Sequence, residues 1–150
     1  MRFHHIGYAV PSIAEYLDTF FREAFAPVCI SDPVPDPIQR VRVCFAEMQP
    51  SASGSIGTLI ELVEPLDDDS PINSFAGSRR GGLYHLCYEV DDLNAELKRL
   101  RRMRCMPLTK PAPAAAFADR RIVFVMTPQH DLIELLEARE SADADSPTVR

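Results

Sequence analysis

Apolar residues recur with two different periods along this chain, and the places where one period gives way to the other predict its elements. Residues 3–10, Phe-His-His-Ile-Gly-Tyr-Ala-Val, read as a strand. Pro11 and Ser12 then open a helix, because proline at a helix start gives up only an N–H that has no partner there. Ile13, Tyr16, Leu17, Phe20, Phe21 and Phe25 recur at helical spacing to about residue 25. A short strand is predicted over 27–31. Pro33, Pro35 and Pro37 make 32–38 a loop, since proline cannot donate to a sheet ladder. Val41, Val43 and Phe45 alternate with Arg40, Arg42 and Cys44, which predicts a strand with one buried face. Residues 51–57 form a flexible turn, 59–63 a strand, and 67–70 cap a short helix near 71–77. Gly81-Gly82 then interrupts the chain.

The second half repeats the order. Residues 83–90 are a strand, and Asp91-Asp92 cap a helix over 92–103 whose Leu93, Leu97 and Leu100 make an apolar stripe. A strand is predicted over 105–109 and a Pro/Ala-rich loop over 110–119. Residues 122–126 and 132–136 form a hairpin through the turn 127–131. The polar tail 139–150 is expected to be disordered.

Self-similarity carries more information than any single element. His5-Ile-Gly-Tyr-Ala-Val10 aligns with His85-Leu-Cys-Tyr-Glu-Val90, 80 residues later, and a capped amphipathic helix follows each. Leu59-Ile-Glu-Leu-Val-Glu64 aligns with Leu132-Ile-Glu-Leu-Leu-Glu137, 73 residues later. Each half therefore reads β-α-β-β-β, with a histidine on its first strand and a glutamate on its last. The chain is expected to be one domain, 1–138, built from two modules at about 3–65 and 83–138. The fold class is α+β, with the two tandem βαβββ modules forming an open β-barrel. His5, Glu61, His85 and Glu134 hold equivalent places in the two copies. Two imidazoles and two carboxylates suit Zn²⁺, Ni²⁺, Co²⁺, Mn²⁺ or Fe²⁺, so a divalent metal at the barrel centre is expected.

Bulk properties narrow the function without naming it. A formal net charge of −6 argues against a nucleic-acid footprint, which needs a basic surface. No run approaches the ~18 apolar residues that span a bilayer. The N-terminus lacks the apolar core of a signal peptide, so a cytoplasmic protein is expected. Cys29, Cys44, Cys87 and Cys105 contain no C-x-x-C pair and sit in apolar strand-like runs, where cysteine behaves as a small hydrophobe.

These residues resemble the vicinal oxygen chelate (glyoxalase, bleomycin resistance, dioxygenase) superfamily over about residues 3–138. The likeness is strongest to its methylmalonyl-CoA epimerase branch. The matching stretches are His5-Ile-Gly-Tyr-Ala-Val-Pro11, the run from Ile60-Glu-Leu-Val-Glu-Pro to Ser70-Pro-Ile72, the run from Gly81-Gly-Leu-Tyr-His to Val90-Asp-Asp92, and Leu132-Ile-Glu-Leu-Leu-Glu137. The resemblance implies a glyoxalase-like fold, metal ligands at His5, His85 and Glu134, Glu61 at a position where relatives carry Gln or Glu, and a homodimer to which residues 16–25 would contribute. The chain departs from the epimerase pattern at Tyr84, where a second His usually precedes His85. It departs again at Val43, where some epimerases carry a carboxylate, in the run 114–121, which lacks the usual glycines, and in the short turn 127–131.

The chemistry so implied is proton transfer at a carbon next to a carbonyl, in an acyl-CoA thioester or 2-oxo small molecule. The enzyme would be a metal-dependent isomerase, epimerase or lyase, with Glu61 and Glu134 as acid–base candidates. Arg120 and Arg121 are candidates to hold an anionic substrate group, Phe117 to cover the site or plug the core, and Cys87 to line the pocket beside His85. By strand alternation His4, Tyr8 and Tyr84 point away from the metal face. Arg40, Arg42 and Arg79-Arg80 read as surface, and His130 as a turn residue. Two alternatives stay open: a metal-free binding or resistance protein, and an Fe(II) dioxygenase. The second uses two His and one carboxylate, so a fourth donor at Glu61 weighs against it.

Overall fold

In the computed structural model, which describes residues 1–50, 57–78 and 81–139, the helix after each module's leading strand starts at a side-chain oxygen. Ser12 caps the first, accepting from the Glu15 N–H at 3.3 Å. Asp92 caps the second, accepting from the Ala95 N–H at 2.9 Å, a contact worth about 1 kcal/mol. Pro11 stands just outside the first helix rather than in it. The expected turn at 51–56, the Arg79-Arg80 pair and the tail from 140 on lie outside the described residues.

Contacts divide the chain into two units, one from His5 to Tyr84 and one joining Met1–His4 to the described residues from His85 on. In the first, which takes β1 (Arg2–Ala9) from His5 on, the strand leads into α1 (Ile13–Tyr16), a π-helical turn (Leu17–Phe21) and α2 (Arg22–Phe25). Four short strands follow: β2 (Cys29–Ile30), β3 (Val34–Asp36), β4 (Val41–Glu47) and β5 (Leu59–Pro65), then α3 (Asn73–Ser78). β1 pairs parallel with β5, β5 antiparallel with β4, and β4 antiparallel with both β2 and β3.

The second unit repeats this order. Its elements are β6 (Gly82–Val90), α4 (Leu93–Arg102), β7 (Met106–Pro107), β8 (Ala112–Pro113), β9 (Arg121–Met126) and β10 (Leu132–Glu137). β6 pairs parallel with β10, β10 antiparallel with β9, and β9 antiparallel with both β7 and β8. The fold is thus α+β and glyoxalase-like, as expected, with one extra short strand per module.

Each module's helix packs on one face of its own strands. In the first, Tyr8, Val10, Cys44, Ala46, Ile60 and Leu62 meet Ile13, Leu17 and Phe21. In the second, Tyr88, Val90, Val123, Val125, Ile133 and Leu135 meet Leu93, Leu97 and Leu100. Burying each such aliphatic side chain is worth roughly 1.5–3 kcal/mol.

Four expectations need correction. Residues 34–36 are not loop: Val34–Asp36 is an edge strand on β4, where Pro35 costs no ladder bond. Asp36 Oδ1 turns the chain back by accepting from the Ile38 and Gln39 N–H groups at 3.0 and 2.9 Å. The Pro/Ala stretch likewise contains β8 and a 3-10 turn at Ala115–Phe117. β4 is covered on both faces, so Cys44 and Ala46 are as buried as Val41 and Val43. The first helix is not one continuous stripe either. The Arg22 N–H bonds back to the Leu17 carbonyl, five residues earlier. This wider turn shifts the helical phase and leaves Phe20 and Phe25 52% and 46% exposed while Phe21 stays buried.

Gly81 enters β6 at φ +90°, and a Cβ there would lie 2.1 Å from the Ala9 carbonyl oxygen. Only glycine satisfies both conditions. Among the described residues no helix is long and apolar enough to cross a membrane.

Candidate metal centre

With the helix covering one face, strand alternation sends every second residue to the other. On β1 that face receives His5 and Gly7, on β5 Glu61 and on β4 Phe45. On β6 it receives His85 and Cys87, on β10 Glu134 and on β9 Phe124. The register is the same in both modules. Glu61 lies beside Gly7 on one side and Phe45 on the other, and Glu134 lies beside Cys87 and Phe124.

Each module thereby builds one buried histidine–glutamate pair. His5 Nε2 stands 3.4 Å from Glu61 Oε2, and His85 Nε2 stands 3.4 Å from Glu134 Oε2. The four residues are between 0% and 4% exposed. Each histidine ring also meets a phenylalanine edge to face. His5 and Phe45 have centroids 5.6 Å apart at 76°, and His85 and Phe124 5.4 Å apart at 79°. Periodicity alone marks the phenylalanines only as strand residues. The signal for them was the parallel between Arg42-Val-Cys-Phe45 and Arg121-Ile-Val-Phe124, a third stretch of the repeat.

The same parallel explains the arginines. Arg42 Nη1 donates to Glu64 Oε1 at 2.5 Å. Arg121 donates to Glu137 through Nε at 2.8 Å and Nη2 at 2.5 Å. Glu64 and Glu137 are equivalent positions, so each module closes its end with an Arg–Glu pair. Glu64 Oε2 also accepts from the Ile13 N–H at 2.6 Å, which ties β5 to the start of α1.

Arg120 Nη1 donates to Glu89 Oε2 at 2.7 Å, and Arg2 reaches the other oxygen of Glu89 at 3.0 Å. Burial pushes the Glu89 carboxyl up, but Arg120 and Arg2 more than offset this and hold it below its usual range. Arg120 and Arg121, the arginines expected to hold substrate, thus each pair with a carboxylate of their own module. Phe117 is 6% exposed beneath Arg120 and meets His4 edge to face, as a core plug does.

Arg40 pairs with Asp67 and Asp69, and His130 occupies the tight β9–β10 turn at φ +67°. Cys87 is fully buried on the histidine face, whereas Cys29 is exposed, against the expectation that all four cysteines pack as hydrophobes. Burial first, then the charges of Glu61 and Glu64, push the Cys44 thiol up to about 12. It is a protonated core residue at neutral pH.

In each module the histidine and glutamate are donor types that a divalent metal takes. Each of the four residues offers one imidazole nitrogen or carboxylate oxygen, and all are buried. A carboxyl group withdrawn from water is costly unless it is paired or ligates a metal, and each module buries one beside an imidazole.

Residues 4–124 match the family model described as Glyoxalase/Bleomycin resistance protein/Dioxygenase superfamily. The Mus musculus protein "Methylmalonyl-CoA epimerase, mitochondrial" is 32% identical over 116 residues, covering 77% of this chain and 60% of that protein. The chain thus spans about 60% of the length of the mammalian relatives it matches. The Cereibacter sphaeroides "Ethylmalonyl-CoA/methylmalonyl-CoA epimerase" is 30% identical over 129 residues, covering 83% of this chain and 87% of that one. The crystal structure of methylmalonyl-CoA epimerase from Mycobacterium tuberculosis superposes with a TM-score of 0.75 at 25% identity, covering 95% of this chain and 91% of its own.

Proposed function

The chain belongs to the Glyoxalase/Bleomycin resistance protein/Dioxygenase superfamily, and from that premise we propose that it is an isomerase moving the proton on the carbon next to an acyl-CoA thioester carbonyl. His5, Glu61, His85 and Glu134 would together hold one divalent metal ion. The observation that carries this reading is the buried His–Glu pair occurring once in each module, at the same strand register. A single buried pair is ordinary core chemistry. Two at equivalent positions amount to a four-donor set of two imidazoles and two carboxylates.

When bound, the ion would supply Lewis acidity at the substrate carbonyl oxygen, worth several kcal/mol of charge stabilisation. His5 and His85 serve as neutral donors. Glu61 and Glu134 carry the proton. One carboxylate removes it from one face of the α-carbon and the other returns a proton to the opposite face, which inverts the centre. A base so placed contributes typically ~10²–10⁴-fold. Malonyl-type thioesters are the first substrates to try, because the relatives are named for ethylmalonyl-CoA and methylmalonyl-CoA.

Elemental mass spectrometry of the purified protein and of Glu134→Ala tests the premise. We expect about one metal ion per chain, lost in the variant, because ligand loss from a four-donor site removes most of its affinity. Deuterium uptake by methylmalonyl-CoA in D₂O then tests the reaction. A wild type that takes up none of Co²⁺, Ni²⁺, Zn²⁺, Mn²⁺ or Fe²⁺ would falsify the reading.

A further inference from the structure

Resting on the metal reading above, we propose that Phe45 and Phe124 are positioning residues, each fixing the plane of its module's histidine so that the ring nitrogen is aimed at the centre. Both rings stand nearly perpendicular to an imidazole, at 76° and 79°, with centroids 5.6 and 5.4 Å apart. Both belong to the residue paired across the sheet with the module's glutamate, Phe45 with Glu61 and Phe124 with Glu134. Histidine, phenylalanine and glutamate therefore recur as one unit on three strands.

An imidazole turns freely about its last side-chain bond unless something restrains it, and that torsion is broad and soft. Edge-to-face contact gives the restraint a preferred angle, which a flexible aliphatic side chain lacks. Neighbours that orient metal-ligating histidines typically cost 10–100-fold in metal affinity when lost. The phenylalanine ring is one such neighbour in each module. Two further features favour this role over simple filling. Both phenylalanines are only partly buried, so they are not the main support of the core. At the helix-facing positions next to them, by contrast, the modules differ: Cys44 and Ala46 in one, Val123 and Val125 in the other.

Co²⁺ is the probe. Its affinity is measured by titration, and its visible spectrum reports coordination geometry, for wild type and for Phe45→Leu, Phe124→Leu, Phe45→Tyr and Phe124→Tyr, each checked for fold by circular dichroism without metal. We expect each Leu variant to bind Co²⁺ about tenfold or more weakly with an altered spectrum, and each Tyr variant to restore both. Leu variants that match the wild type in affinity and spectrum overturn the inference alone. So do Leu and Tyr variants that weaken binding equally, or a Leu variant that loses its fold without metal while its Tyr counterpart keeps it and binds no better. A wild type that binds no Co²⁺ overturns the metal reading and this inference together.

Discussion

Beside Glu61, on the neighbouring parallel strand, sits Gly7; beside Glu134, in the same place of the other module, sits Cys87. The two modules match residue for residue where atoms with chemistry are needed: His5 and His85, Glu61 and Glu134, Phe45 and Phe124, Arg42 and Arg121, Glu64 and Glu137. Where only apolar volume is needed they diverge. Cys44 and Ala46 answer to Val123 and Val125, and a helix broken by a π-turn answers to the regular α4. A core accepts any apolar set of about the right volume, whereas a donor set must keep its atoms. The difference between the faces thus separates what each module varies, its apolar packing, from what it keeps, a buried histidine and glutamate. On the histidine face, at the position paired with the carboxylate across the parallel strands, Gly7 answers to Cys87.

The largest expected effect tests whether the carboxylates are equivalent in action as they are in place. Glu61→Gln and Glu134→Gln each keep an oxygen donor and lose the base. We expect each to retain metal and to slow interconversion of the two stereoisomers by about 10²–10⁴-fold. Each variant should still exchange the α-proton of one stereoisomer in D₂O, and the two variants should exchange opposite ones. If one variant loses exchange of both isomers and the other loses neither, a single base serves the reaction, and the modules are alike only in structure.

Much of this was legible before any coordinates, for a physical reason. His5, Glu61, His85 and Glu134 sit in short apolar strands where a polar residue stands out, and the repeat set them in pairs. The Asp92 cap and the Leu93, Leu97, Leu100 stripe were equally plain, because capping and helical period are local. What stayed hidden depends on partners distant in sequence. Prolines concealed β3 and β8, because an edge strand needs only some of its N–H groups. The pairing of Arg120 with Glu89 and of Arg121 with Glu137 joins different strands, so it leaves no local pattern. Phe45 and Phe124 read as strand residues because an edge-to-face contact leaves no trace in periodicity.

A smaller effect separates the two Arg–Glu pairs. The Glu64 side chain is 11% exposed and the Glu137 side chain 27%, and Glu64 also anchors the Ile13 amide. Arg42→Met leaves a carboxylate with little access to water, so we expect a loss of about 1–2 kcal/mol in urea unfolding. Arg121→Met leaves one that water can reach, and under about 1 kcal/mol should be lost. Equal losses would mean that the Ile13 contact adds nothing, and that the first module's end is no more rigid than the second's.

The smallest effect comes with pH. The Arg121 guanidinium, through its hydrogen bond, holds the Glu137 carboxyl below its ordinary 4.5, against a smaller push upward from burial. A carboxyl depressed in the folded state favours folding above its unfolded value, and that contribution fades as pH falls through the folded value. The stability difference between wild type and Arg121→Met should therefore be constant from pH 7 down to about 5 and shrink below about 4.5 as Glu137 protonates. Thermal melts at half-unit steps between pH 3 and pH 7 read this directly. A difference that persists unchanged at pH 3 would show that Arg121 acts through the packing of its aliphatic stem along the strand rather than through its charge, and the likeness to Arg42 would then be one of shape alone.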